Sequence, residues 1–309
     1  MCEPTVYING QFVPVSAAKV SVFDRGFRLG DAVFDTARTF RHRPYKLREH
    51  LERLYRSLRY IRLDPGMTMD EIEAITLQVV EQNIPLLQDN DDVWIHQIIS
   101  RGLLRTSGSP TVVIMTEPLP FASFARYYKI GVSCLTPSIR HTPLQSVEPR
   151  VKTVSRLNLV LAELEAQQAD PDAYALLLDL EGHITEYTSG NFFMVCKGSL
   201  VTPFERTSLG GVSRETVLEL AEELGIPTRE ANITPYDAYN ADEAFITSTS
   251  KCILPVGRLN GIRIGNRVPG PLTKRLLDTW SARVEVDIVE QALSHLDAAE
   301  RQALEKWNA

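Results

Sequence analysis

The stretch Val151-Lys152-Thr153-Val154-Ser155-Arg156-Leu157-Asn158 runs into a segment in which Leu157, Val160, Leu161 and Leu164 recur at i, i+3, i+4 and i+7. That period predicts a helix. Asp170, Pro171 and Asp172 end it, and the apolar run from Ala173 to Leu178 predicts a short buried strand. Asp179, Glu181 and Gly182 mark a turn, after which Ile184-Thr185-Glu186-Tyr187-Thr188-Ser189-Gly190-Asn191 continues to Val195 as a strand-to-strand element. Lys152 stands just before the helix and Glu186 in the strand pair beyond it. A lone lysine in such a place is ordinarily a solvated surface charge, so the reading depends on what surrounds it.

Toward the N-terminus, Tyr7-Ile8-Asn9-Gly10-Gln11-Phe12-Val13 is a hairpin signal, with Asn-Gly between two apolar segments. Val20 to Val22 predicts another short strand. Phe23 to Val33 is a loop punctuated by Gly26 and Gly30 that leads into a strand through Phe40. No helix is expected there, which excludes a dinucleotide-binding reading of those glycines. Residues 48–62 predict a helix with Leu51, Leu54, Tyr55 and Leu58 on one face and Arg53 beside its edge. Thr68 with Glu71 forms a capping box opening a second helix through about Gln82. Val93 to Ile99 and Thr111 to Met115 read as strands. Strands, two helices and more strands make an α+β pattern. Pro118, Pro120 and the residues to Ala125 read as a linker. The expected division is a small α/β domain over 1–120, a connection over 121–130 and a larger domain over 131–309.

Toward the C-terminus, Leu209-Gly210-Gly211-Val212-Ser213 is a glycine loop that opens a helix from Arg214 to Leu224. The free amides and dipole of a helix start suit a phosphate, although a serine there is also an ordinary cap. Thr234-Pro235 begins a short helix. Ala244 to Ser250 is a strand ending in a hydroxyl cluster, Asn260-Gly261 another hairpin, and Pro271 to Trp280 a terminal helix.

At 309 residues the chain is long enough for two domains or one large one, and with 44% hydrophobic and 23% charged residues it has the composition of a soluble globular protein. A net charge of -6 and a pI near 5.6 argue against nucleic acid or an anionic membrane as the main partner. No apolar run approaches membrane-spanning length. Met1-Cys2-Glu3-Pro4 lacks the regions of a signal peptide. Cys2, Cys134, Cys196 and Cys252 show neither a CxxC pair nor metal-ligand spacing, so reduced thiols in a cytoplasmic protein, and no metal, are expected.

A lysine with a lowered pKa is a Schiff-base nucleophile. Pyridoxal phosphate (PLP) needs such a lysine, a carboxylate for its pyridine nitrogen and a helix start for its phosphate. Lys152, Glu186 and Gly210-Gly211-Val212-Ser213 supply these types in that order, though periodicity cannot show that they meet. At this point the sequence resembles the class IV, or fold type IV, PLP aminotransferases: the branched-chain, D-amino acid and (R)-selective amine transaminases. Six motifs in family order, from Tyr7 to about Trp280, carry the resemblance. Phe23-Asp24-Arg25-Gly26-Phe27 and Gly30-Asp31-Ala32-Val33-Phe34 resemble the N-terminal signature, and Glu49 to Leu54 the helix whose arginine, here Arg53, binds the phosphate. Val151-Lys152-Thr153 resembles the lysine segment, and Ile184-Thr185-Glu186 with Ser189-Gly190-Asn191 the strand pair whose glutamate meets the ring nitrogen. Leu209 to Arg214 stands where the family has L-P-G-I-T-R, with Gly210 in place of proline. Thr247 to Ser250 stands at a further phosphate contact.

The resemblance implies a two-domain fold with a barrel-like core flanked by helices in the larger domain. It implies Lys152 as Schiff-base lysine and proton carrier, and Arg53, Glu186, Asn191, Leu209, Val212, Ser213, Thr249 and Ser250 as cofactor contacts. Phe34, Thr36 and Arg38 fall on the strand that lines the substrate pocket, where Phe34 and Arg38 are similar to the branched-chain type and Thr36 replaces its glycine. The stretch at Arg101 to Arg105 lacks a Gly-Pro-Pro loop. It offers Arg105 for a carboxylate but no neighbouring histidine. Ser138 to Lys152 and Val268 to Thr273 look most like the (R)-amine enzymes, in which Arg126 or Arg28 would receive the keto acid. Leu157, five after the lysine, matches the D-amino acid type. The expected activity is transfer from a D-amino acid or (R)-amine to pyruvate or 2-oxoglutarate. A branched-chain L-amino acid aminotransferase is the alternative, and a lyase similar to aminodeoxychorismate lyase a second. The resemblance also implies at least a homodimer with shared active sites.

Overall fold

Alternation of apolar with other side chains along three long strands builds the first of two compact units, which comprises residues 1–119 and 151–156. The structure, a computed structural model, describes residues 3–103 and 108–307. The first unit contains β1 (Thr5–Ile8), β2 (Gln11–Pro14), α1 (Arg25–Leu29), β3 (Ala32–Phe40), β4 (Arg43–Tyr45), α2 (Leu47–Tyr60), α3 (Met69–Asn83), β5 (Val93–Ser100) and β6 (Thr111–Pro118). Its sheet runs β2-β1-β6-β5-β3-β4 with every pair antiparallel. One face presents Val33, Ala37, Ile95, Ile99, Val112 and Ile114 to Leu51, Leu54 and Leu58 of α2 and Ile72, Val79 and Val80 of α3. Leu51 and Leu54 are fully buried, and burial of such a side chain contributes about 1.5–3 kcal/mol, enough to fix α2 on the sheet. The opposite face carries Phe34, Thr36, Trp94, His96, Ile98, Val113 and Met115, all part-exposed.

Two expectations fail here. Residues 20–22 form no strand, because none of the described strands pairs with them. Gly26 lies inside a helix: Asp24 caps α1 by accepting from the Gly26 amide, and Gly30, at φ 66°, ends it. A Cβ at Gly30 would also meet Ser155 at 3.0 Å, so this position needs glycine for both conformation and space.

The second unit comprises residues 120–150 and 157–309. It contains α4 (Phe121–Phe124), α5 (Tyr127–Ile130), β7 (Val132–Leu135), α6 (Leu157–Ala169), β8 (Tyr174–Leu178), β9 (Ile184–Tyr187), β10 (Gly190–Cys196), β11 (Ser199–Pro203), α7 (Val212–Glu223), β12 (Thr228–Ala231), α8 (Pro235–Tyr239), β13 (Glu243–Ser248), β14 (Cys252–Leu259), β15 (Ile262–Arg263), α9 (Pro271–Val284), α10 (Ile288–Ser294) and α11 (Ala298–Trp307). Strands β10-β13-β14-β7-β8-β9 pair in sequence, and β9 pairs back to β10. The six close into a ring, the barrel-like core that the resemblance implied. Closure leaves its members no free edge. Helices α7 and α9 pack on β13, and α6 packs on β8.

Residues 121–130 are two short helices with Phe121, Phe124, Tyr127 and Tyr128 buried; Phe121 stacks on His295 and the Tyr128 hydroxyl donates to the Lys251 carbonyl. Helix α6 carries apolar residues on more than one face. Its alanines, Ala162 and Ala166, face the core with Ala173, Ala175 and Leu177, while Leu157, Val160, Leu161 and Leu164 are exposed. The periodic stripe thus marks the helix but not its inward face. Among the described residues, no helix is long and apolar enough to cross a membrane.

Candidate active site

Lys152 is set by β3 and α2 within the first unit. Its carbonyl accepts from the Phe34 amide at 3.0 Å, Thr153 bridges Val33, and the Val154 amide donates to Ala32. The Lys152 amide donates to Ser57 Oγ at 3.2 Å, and Ser57 Oγ donates in turn to the Arg53 carbonyl at 3.0 Å. These bonds hold the backbone of Lys152 so that its Nζ lies 4.6 Å from the Phe34 ring centroid. The lysine therefore belongs to the face of the sheet that carries Phe34.

Arg53 is aimed by a residue that sequence reading missed. Its Nε and Nη2 donate to the two oxygens of Asp35 at 2.8 and 2.7 Å, and His50 Nδ1 lies 2.7 Å from Asp35 Oδ1. Asp35 is fully buried. Burial alone would raise its pKa, but the charge of Arg53 and the bond to His50 outweigh it and hold the carboxyl far below the ordinary carboxylate range. Burial is also the main influence on His50, lowering its pKa against the pull of Asp35. His50, Arg53 and Ser57 share one edge of α2 at helical spacing. A signal existed: β3 alternation puts Asp35 on the apolar face between Val33 and Ala37, where a carboxylate demands a cation.

Of the residues read as substrate contacts, Phe34 and Thr36 stand on the face that carries Lys152. Thr36 Oγ1 lies 3.0 Å from Nδ1 of His96, its cross-strand neighbour on β5. His96 was also missed. Burial lowers its pKa, opposed by Glu117 and aided by the positive charge of Lys152, so it is neutral near pH 7. Arg38 is 2% exposed. It donates to the Thr39 carbonyl, lies 3.6 Å from Asp92 and stacks over Phe40, so it anchors the end of β3. Arg28 is exposed in the last turn of α1. Arg126, in the second unit, pairs with Asp172 at 2.7 Å and donates to the Tyr127 hydroxyl. Arg105 lies outside the described residues.

The second unit gathers the other candidates at one end of the ring. Glu186 on β9, Asn191 on β10 and Thr247 on β13 are cross-strand neighbours in one row. The 209–211 loop is tied to that row by one peptide unit on each side of Leu209: its amide donates to Glu186 Oε2 at 3.0 Å, and its carbonyl accepts from Asn191 Nδ2 at 2.9 Å. Gly211 is forced by this arrangement, since a Cβ there would lie 2.1 Å from Asn191 Oδ1. Helix α7 starts one residue later, at Val212, two residues before the expected Arg214. No side chain caps it, and the Ser213 hydroxyl sits in its first turn, 8% exposed as a residue. Thr249 and Ser250 are part-exposed on the turn joining β13 to β14. The other oxygen of Glu186 faces His141 Nε2 at 2.9 Å, a partner the sequence did not reveal.

This donor set suits an aromatic phosphate cofactor with a basic ring nitrogen. An uncapped helix start with a hydroxyl in its first turn offers donors to an anion. A buried carboxylate already steadied by two donors suits a ring N–H. A glycine where any side chain would collide leaves the loop free to lie close to the row. The family model described as amino-transferase class IV matches residues 32–259. A Methanocaldococcus jannaschii protein named "Putative branched-chain-amino-acid aminotransferase" is 36% identical over 282 residues, covering 89% of this chain and 94% of its own. A D-alanine aminotransferase of Bacillus licheniformis is 29% identical over 276 residues, with 88% and 94% covered. Among solved structures, the branched-chain aminotransferase of Thermoproteus uzoniensis with norvaline superposes with a TM-score of 0.81 at 29% identity, covering 91% of this chain and 94% of that one. The branched-chain enzyme of T.th., complexed with N-(5'-phosphopyridoxyl)-L-glutamate, gives 0.82 at 26% identity, with 91% and 94% covered. The chain belongs to the class IV aminotransferases. It is a PLP-dependent aminotransferase of fold type IV.

Proposed function

We propose that this aminotransferase acts on a branched-chain L-amino acid and returns the amino group to a keto acid, the alternative of the sequence reading rather than its first choice. The observation that carries this reading is the apolar wall on the Phe34 face of the first unit's sheet. Phe34, Trp94, Ile98, Val113 and Met115 share that face with Thr36 and His96, and the Phe34 ring lies beside both Lys152 Nζ, at 4.6 Å, and the Arg156 guanidinium, at 5.7 Å. Such a wall favours a branched apolar side chain over a small or acidic one. The branched-chain names of the relatives support it. The D-amino acid and (R)-amine reading rests on Leu157 and on the segments Ser138 to Lys152 and Val268 to Thr273, and the similarity to D-alanine aminotransferases supports its D-amino acid part.

In this proposal Lys152 holds the cofactor covalently and moves the proton at the substrate α-carbon. The bound cofactor supplies an electron sink for that carbon. Glu186 accepts from the ring nitrogen, Leu209 packs on the ring, and Arg53, Val212, Ser213, Thr249 and Ser250 hold the phosphate, with Asp35 aiming Arg53 and Asn191 holding the Leu209 loop. Fixing both ends of the cofactor positions the substrate carbon for Lys152.

The exposed leucine stripe of α6 supports at least a homodimer, because a contiguous apolar helix face on a folded protein marks an association surface. Single-turnover half-reactions with L-leucine, D-alanine and (R)-1-phenylethylamine separate the substrate readings. L-leucine reacting at least tenfold faster than the other two is the expected result; a faster reaction with D-alanine or the (R)-amine would replace this reading with the second.

A further inference from the structure

The Glu186–His141 pair has a property that a fixed cation in place of the imidazole would lack. We propose that His141 is a positioning residue whose change of charge tunes how strongly Glu186 holds the ring nitrogen of the cofactor. The proposal rests on the assignment of Glu186 to that nitrogen, and deepens it.

Both side chains are nearly out of solvent, His141 at 8% and Glu186 at 10% exposure, with Nε2 and Oε1 2.9 Å apart. The ring is placed by its backbone, since the His141 amide donates to the Leu178 carbonyl at 2.9 Å at the end of β8. Glu186 is placed by β9 and by the Leu209 amide on its second oxygen. Neither partner can leave the other without unpairing a buried polar group.

His141 also lines a cleft of about 140 Å³ with Asp179, Glu181 and Arg206, which gives its ring a route for exchange of protons with water. The groups that bear on its charge are therefore Glu186 from β9, Asp179 and Glu181 from the turn after β8, and Arg206 before α7. Asp179 is itself occupied by the His183 and Glu181 amides. Burial disfavours the imidazolium, but the hydrogen bond and charge of Glu186 outweigh it, helped by the Thr142 backbone and Asp179. The His141 pKa lies above the ordinary histidine value. Below that raised pKa the pair is imidazolium and carboxylate; above it, a neutral imidazole donates one N–H to the same carboxylate.

The consequence for the ring nitrogen follows from charge. A carboxylate shared with a cation offers less negative charge to a second donor than one shared with a neutral group. A protonated ring nitrogen also repels an imidazolium across the carboxylate. Loss of the His141 proton therefore strengthens the hold of Glu186 on the ring N–H as pH rises, where an unassisted pyridine would lose its proton. By linkage, cofactor bound through its ring nitrogen weakens the hold of His141 on its proton. A tenfold weakening corresponds to a tenfold gain in cofactor affinity across the titration.

The test uses the full chain and PLP, with binding rather than turnover as readout. In cofactor-free protein, NMR of the imidazole nitrogens should show His141 titrating above about 6.5, and Glu186→Gln should lower that value. The PLP dissociation constant should tighten up to about tenfold across the His141 titration in the wild type. That dependence should vanish in two variants with opposite offsets. His141→Gln, neutral at every pH, should bind tightly throughout, and His141→Arg, charged at every pH, weakly throughout. A 1-deaza analogue of PLP, which lacks the ring nitrogen, should bind all three alike. Equal weakening by both substitutions, with the wild-type pH dependence intact, would reduce His141 to packing and overturn the proposal. Glu186→Gln leaving PLP affinity and the preference over the deaza analogue unchanged would instead overturn the assignment of Glu186 beneath it.

Discussion

Ser57 and Lys152 are joined by the lysine's own amide, which donates to Ser57 Oγ at 3.2 Å. Because the same hydroxyl donates to the Arg53 carbonyl, one buried serine registers the lysine segment against the helix that carries Arg53. Ser57→Ala removes both bonds without creating much space. A loss of about 1 kcal/mol is expected for a hydrogen bond of this kind. The checks are thermal melting of the cofactor-free protein, where a drop of about 2–4 °C is expected, and the rate at which borohydride fixes PLP on the holoenzyme. A melting point that drops with no change in that rate would mean that Ser57 stabilises the fold without placing Lys152.

Asp35 should matter as much as the arginine it aims. Arg53→Ala removes a charge-assisted phosphate contact, about 1.5–3 kcal/mol, so PLP affinity should fall at least tenfold. Asp35→Asn leaves Arg53 and His50 buried without their carboxylate and should destabilise the first unit by about 3–5 kcal/mol. The pH dependence follows in sign. Asp35 has a depressed folded pKa, so its contribution is present above the unfolded value near 4 and is lost only as pH falls toward the much lower folded one. Urea titrations of wild type and Asp35→Asn should therefore differ by a constant amount from about pH 7 to 8, where His50, with its lowered pKa, is neutral. A difference that disappears at neutral pH would show that the pair is not the stabilising element.

Gly211 is a tight backbone position in the second unit. Gly211→Ala puts a Cβ 2.1 Å from Asn191 Oδ1 and must displace the loop that carries the start of α7. PLP affinity is expected to fall tenfold or more with the fold intact. Asn191→Ala in the same chain should recover part of it by removing the obstructing oxygen. Absence of any recovery would place the strain elsewhere in the loop.

Much of this was legible in the sequence, and the reasons differ by residue. The Asn9-Gly10 hairpin and the Thr68–Glu71 capping box are local, and both appear as read, with Asn9 and Gly10 at positive φ. Val20 to Val22 failed because β propensity without a pairing neighbour makes no strand. Closure of the ring was not legible from periodicity, because it depends on β9 pairing with both β8 and β10. Among the site residues, Lys152, Arg53 and Glu186 stood in motifs, whereas Asp35, Ser57, His96 and His141 did not. Their significance lies in contacts across strands or to the helix α2, which spacing cannot display. His96 illustrates the point, since it reaches Thr36 through β-sheet register.

The α6 stripe tests assembly. Leu161→Glu with Leu164→Glu puts charges on an exposed face, so neither should cost a folded subunit much stability. In the proposed dimer they would be buried without partners. Sedimentation should show monomers at concentrations where the wild type is dimeric, with helix content unchanged. A dimer that persists would move the association surface elsewhere.

The most direct test of the account is where the cofactor becomes attached. Holoenzyme reduced with borohydride, digested and read by mass spectrometry should carry the pyridoxyl group on the peptide containing Lys152, and Lys152→Ala should carry none. A label found on another lysine, or a label that survives in Lys152→Ala, would contradict the assignment on which the site is built.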